Sequence, residues 1–92
     1  MPTYFKDYDA IKTGLEKVVA IIEEMKNCAN TLENNANEAE TLLLDEKAKK
    51  NINAIKEIAS AIKKATAQGE DRVRELKHKV VNEENAFNEL GR

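Results

Sequence analysis

Apolar residues recur along the first half of the chain at Tyr4, Tyr8, Ile11, Leu15, Val18, Ile22, Met25, Ala29, Leu32, Ala36, Ala39 and Leu43, in steps that alternate four and three. A period of about 3.5 residues belongs to a helix whose apolar seam faces another helix in a left-handed supercoil. The second half repeats it at Ala48, Ile52, Ile55, Ala59, Ile62, Thr66, Gly69, Val73, Leu76, Val80, Glu83, Phe87 and Leu90. Thr66, Gly69 and Glu83 are poor seam residues, yet the register resumes after each of them. Val19, Ile21, Ile58, Ala61, Ala65 and Val81 flank the seam and widen the apolar stripe beyond two positions in seven.

Two such halves need a turn between them. Asp45 is a good helix N-cap, and the Leu42-Leu43-Leu44 run before it can pack around a tight connection, which predicts a turn near residues 43–46. That leaves arms on the order of 40 residues, about 60 Å each at the rise of an α-helix. A rival turn lies at Asn34-Asn35-Ala36-Asn37, where weak helix formers cluster; with a break at Gln68-Gly69 it would give a three-helix bundle. The heptad register passes unchanged through Ala36 and Ala39, which favours the hairpin. Thr3 or Asp7 is placed to cap the first helix after Pro2, and Gly91 stands where a C-terminal cap belongs. The expected fold is all-α: a single domain over residues 1–92, one long antiparallel helical hairpin. Two facing stripes make a thin core for a chain of 92 residues, and the surplus apolar flank predicts pairing of two hairpins into a four-helix bundle.

Composition supports long helices, with 35% charged residues, 4% aromatic and one proline. The net charge of −2 hides an asymmetry: residues 1–45 carry four Lys against nine acids, and residues 46–92 carry eleven basic residues against eight acids. Arms of opposite sign attract modestly when they lie side by side. The basic half is interleaved with acids and lacks stacking aromatics, which argues against a nucleic-acid surface. The longest apolar run, Val18 to Ile22, is far short of the roughly 18 residues of a membrane span, so no membrane insertion and no cleaved signal peptide are expected. The expected location is the cytoplasm, with any export independent of such a peptide.

Little in the chain suggests chemistry. His78 stands between Lys77 and Lys79 with no ligand at helical spacing, and Glu23-Glu24 and Glu83-Glu84 read as solvated helix surface rather than a tuned acid–base couple. Gly14, Gly69 and Gly91 are isolated, so no phosphate-cradling loop is present. The lone Cys28 excludes an internal disulfide and reads as a small residue on a helix flank, with a dimer cross-link or reactive thiol as the alternative. No catalytic residue, cofactor or metal is expected, and the chain reads as a non-enzyme. Gly69 marks either a close approach of the helices or a hinge. Tyr4, Phe5, Tyr8 and Phe87 gather at the pole opposite the turn, as an end-plug or a recognition patch.

A cysteine-poor hairpin of this length without a signal peptide, turning near residue 45, resembles the WXG100 (ESAT-6-like) superfamily of type VII secretion. Where that superfamily has a Trp-x-Gly turn, this chain reads Leu43-Leu44-Asp45-Glu46, and Phe87 is followed four residues on by Gly91 rather than by an acid. It is closer to the small helical proteins that accompany LXG toxins and lack the tryptophan turn. The resemblance implies an adaptor that binds the helical N-terminal domain of a toxin and helps to target it for secretion. The candidate partner-binding residues are Ile22, Met25, Ile55, Ile58, Ile62, Phe5 and Phe87. Two other readings stay open: a self-associating coiled-coil building block, and a small regulatory or antitoxin-like subunit that masks a partner's surface.

Overall fold

The computed structural model describes residues 7–90 as two helices, α1 (Tyr8–Leu42) and α2 (Glu46–Leu90), folded back on each other. Asp7 caps α1, its carboxylate accepting a hydrogen bond from the Ala10 N–H at 3.0 Å, and Asp9 adds a negative charge to the first turn, where the helix dipole welcomes it. Thr3, Pro2, Tyr4, Phe5 and Gly91 lie outside the described residues.

Residues 43–45 make the connection. Leu43 is extended (φ −104°, ψ 120°), which stops α1, and the Asp45 carboxylate accepts from the Lys47 N–H at 3.2 Å, which starts α2. The turn thus falls where the cap residue placed it. The three leucines do not pack around it together, however: Leu43 tucks in, whereas Leu42 and Leu44 are 82% and 88% exposed. Neither rival break occurs. α1 runs through Asn34-Asn35-Ala36-Asn37, and α2 runs through Gln68-Gly69 without a positive φ.

The hairpin is a rod of 71 × 18 × 15 Å with a radius of gyration of 20.9 Å. A compact domain of this length has a radius near 12 Å. Its core is a single column of mostly small side chains: Ala29 and Ala36 from α1, and Ala59, Thr66 and Val73 with the larger Ile52 from α2, spaced by heptads. Thr66 is tolerated there because its hydroxyl donates back to the Lys63 carbonyl at 2.9 Å, leaving its methyl for packing. At one end the column closes with Tyr8 against Phe87, ring centroids 6.2 Å apart and tilted by 51°.

Candidate partner interface

The core column divides each helix into two flanks, and the flanks differ in chemistry. On one, Lys12 pairs with Glu84, Lys26 with Glu70 (3.7 Å), Glu33 with Lys63 (2.8 Å) and Glu40 with Lys56 (2.9 Å). Each step up this ladder advances by whole heptads on α1 and retreats by as many on α2. The signs reverse halfway: Lys, Lys, Glu, Glu along α1 meets Glu, Glu, Lys, Lys on the descending α2. A slip of one heptad one way would set Lys26 against Lys63 and Lys12 against Lys77. The opposite slip would set Glu33 against Glu70 and Lys26 against Lys77. The ladder therefore fixes register more than it adds stability, since exposed pairs contribute only about 0.2–1 kcal/mol each.

One rung is loose and another is missing. Glu70 has a buried carboxylate oxygen with no hydrogen bond, Lys26 standing 3.7 Å from it. Beside it, where the heptad step calls for a pair, Val19 and Lys77 line a recess of about 250 Å³ together with Glu23, Glu70, Val73 and Arg74. At the rod's aromatic end, the Glu84 carboxylate hydrogen-bonded to Lys12 holds that ammonium's pKa above its ordinary value; desolvation opposes this, and Coulomb attraction from Glu84 and Asp9 adds to it.

The other flank is apolar and open. From α1 it presents Ile11 (37% exposed), Val18 (43%), Ile21 (57%) and Met25 (46%), with Leu32 half-buried. From α2 it presents half-buried Ile55 and Ile62, then Ile58 (56%) and Leu76 (49%). Ile21, Glu24, Met25, Cys28 and Ile62 line one groove across both helices, which places the two stripes on the same side of the rod.

This geometry corrects the seam read from α1. Tyr8, Leu15, Ile22, Ala29, Ala36 and Leu43 do face α2, but Ile11, Val18 and Met25 do not form the rest of the seam. They lie on the open flank, while Lys12, Val19, Glu33 and Glu40 are half-buried on the ladder side. A 3.5-residue period leaves the two flanks equally near the partner helix, so hydrophobicity alone does not reveal which one is capped by charge.

Of the candidate partner residues, the structure brings Met25, Ile55, Ile58 and Ile62 onto the open flank. Ile22 belongs to the column inside the hairpin, against Gly69. Phe87 is 51% exposed and shares the pole with Tyr8, and Phe5 lies outside the described residues. The open flank also takes in Ile11, Val18, Ile21 and Leu76, none of them among the candidates. The signal for them was in the charges. Lys12, Lys26, Glu33 and Glu40 occupy one heptad column and have a sign-matched column on α2, which leaves the remaining flank for something else.

Among the described residues no group of three or more His, Cys, Asp or Glu could hold a metal ion, and no helix is long and apolar enough to cross a membrane. Compared with known protein families, curated proteins and solved structures, the chain matches none.

Proposed function

We propose that this protein is a non-catalytic helical adaptor whose open apolar flank docks the helical domain of a secreted effector, a toxin of the LXG type, and helps to target it to a type VII secretion system. The class of partner comes from the resemblance of the sequence. The observation that carries the docking is the division of the rod into a charge-capped flank and an uncovered apolar one. A helical partner suits it: apolar residues at helical spacing along a rod offer a groove for one or two more helices, as in a four-helix bundle. The adaptor would act by completing a composite helical surface, with no turnover.

The test is affinity capture of the tagged chain from its native cells, with mass spectrometry of what accompanies it and an Ile58→Asp variant as control. Ile58 is 56% exposed, whereas its neighbour Ala59 is fully buried. Ile58→Asp should keep its helical circular-dichroism signal and lose the effector, while Ala59→Asp should unfold the hairpin by burying a charge at a cost of at least about 3 kcal/mol. One larger protein with a helical N-terminal domain, present with the wild type and absent with Ile58→Asp, supports the reading. Capture of no such protein, or equal capture by both, sinks it. Ile22→Asp is unsuited as a control, because Ile22 packs within the hairpin.

A further inference from the structure

We infer that the middle of α1 is a latent hinge: residues 30–37 open locally from a standing α2 while both ends of the rod stay paired. The inference is independent of the adaptor reading.

Helix propensity is the first argument. Of the eleven residues 27–37, seven are weak helix formers: five asparagines with Cys28 and Thr31. All seven side chains are exposed, so packing does little to offset their cost. The short polar ones also compete with the helix for its backbone hydrogen bonds. α2 faces this stretch with the opposite composition, Ala59, Ala61, Ala65 and Ala67 with Lys63 and Lys64, all strong helix formers. When the pair opens here, α1 is the arm that yields.

The core is also thinnest here. The middle of the rod is bounded by the Ile22–Gly69 contact on one side and the Glu40–Lys56 pair on the other. Between them the buried residues are Ala29, Ala36, Ala59 and Thr66, each of which removes little apolar area from water. The larger Leu32 and Ile62 are half-buried, and Met25 and Ile58 stand exposed on the open flank. Toward the ends the column gains Leu15 and Val73 on one side, Leu43 and Ile52 on the other. The Glu33–Lys63 pair spans the middle, but a part-exposed ion pair contributes little.

Opening a helix from within creates two new ends, which ordinarily makes the middle the last part to yield. Here the sequence supplies caps for both. Asn30 stands where the first part of α1 would end, with Lys26 in its last turn, and Asn tolerates the left-handed C-terminal cap. Asn37 stands where the remainder would start, and Asn is among the best N-caps. Glu38 and Glu40 then fall in a first turn, Glu40 at the position of a capping box. The continuous helix is the ground state, and the opened one is its nearest competitor.

Native-state hydrogen exchange of the full chain, read amide by amide where exchange follows the opening equilibrium, tests this. After correction for intrinsic rates, the amides of residues 31–37 should exchange at least about tenfold faster than those of residues 59–66. Replacing Asn30, Asn34 and Asn37 together by Ala should slow the α1 amides roughly tenfold. Gly14→Ala separates local from global opening, because residue 14 stays helical when only the middle opens. It should slow the α2 amides about three- to fivefold and leave residues 31–37 unchanged. All four positions are exposed, so the variants keep the fold. Three results overturn the hinge: middle amides as slow as those of α2, no slowing by the triple replacement, or equal slowing of both sets by Gly14→Ala.

Discussion

Ile22 of α1 closes on Gly69 of α2 so nearly that a Cβ built at Gly69 would stand 3.2 Å from the Ile22 Cδ1. The glycine is a close-approach residue in a continuous helix. Its cost is that of any glycine in a helix interior, about 1 kcal/mol relative to alanine. The obstacle to a methyl group is the far end of a half-buried side chain, which can give by a few tenths of an ångström. Gly69→Ala should therefore raise the melting temperature, though by less than Gly14→Ala, whose Cβ meets nothing within 4 Å. Gly14→Ala should gain about 4–8 °C. Gly69→Leu, whose longer side chain must displace Ile22 from its place against the helix, should lose about 1–3 kcal/mol. Thermal unfolding at one fixed protein concentration measures all three, because association would otherwise shift each midpoint. A Gly69→Ala variant less stable than wild type would mean that Ile22 cannot move.

Lys12 gives the rod a dependence on alkaline pH. Its pKa is raised, first by the hydrogen bond to Glu84 and then by Coulomb attraction to Glu84 and Asp9. A group whose folded pKa exceeds its unfolded value contributes stability that is fully present below the unfolded pKa. That contribution fades as pH rises through the folded one. Wild type should thus be more stable than Lys12→Gln at pH 7, and the gap should close above the ordinary lysine pKa of about 10.4. Melting curves of the two proteins at neutral and strongly alkaline pH decide it. A gap that stays constant would mean that the side chain contributes by packing its methylenes rather than by its charge.

The fold was legible because the heptad register and the cap agreed and outweighed the local helix breakers. The heptad spacing gave two helices, Asp45 gave the turn, and the unbroken register through Ala36 settled the choice against Asn34-Asn35. The interface was half legible. Met25, Ile55, Ile58 and Ile62 stood out as apolar residues at helical spacing, but Ile22 looked no different from Met25, and one points into the hairpin while the other points out. The difference is set by the side of the core column on which the ion pairs form. That is a property of two columns read against each other across the turn, which a scan of either helix alone does not see.

The gap in the ladder offers a test of that account. Val19 occupies the rung where α2 presents Lys77, and both line the same recess. If the heptad columns hold the register by charge, a carboxylate at this position should complete the run of rungs. Val19→Glu should then melt higher than Val19→Gln, a comparison that cancels the loss of valine packing and isolates the charge. The difference should be about 0.2–1 kcal/mol at low ionic strength, shrinking as salt is added. Adding Lys77→Gln to both variants should abolish it, which assigns the effect to that pair rather than to the general attraction between an acidic and a basic arm. A difference that survives the loss of Lys77 would point to Arg74, which lines the same recess one turn earlier. The rung would then belong to a broader cationic patch, and register would rest on the packing of Ala29, Ala36 and Ala59 in the column beneath.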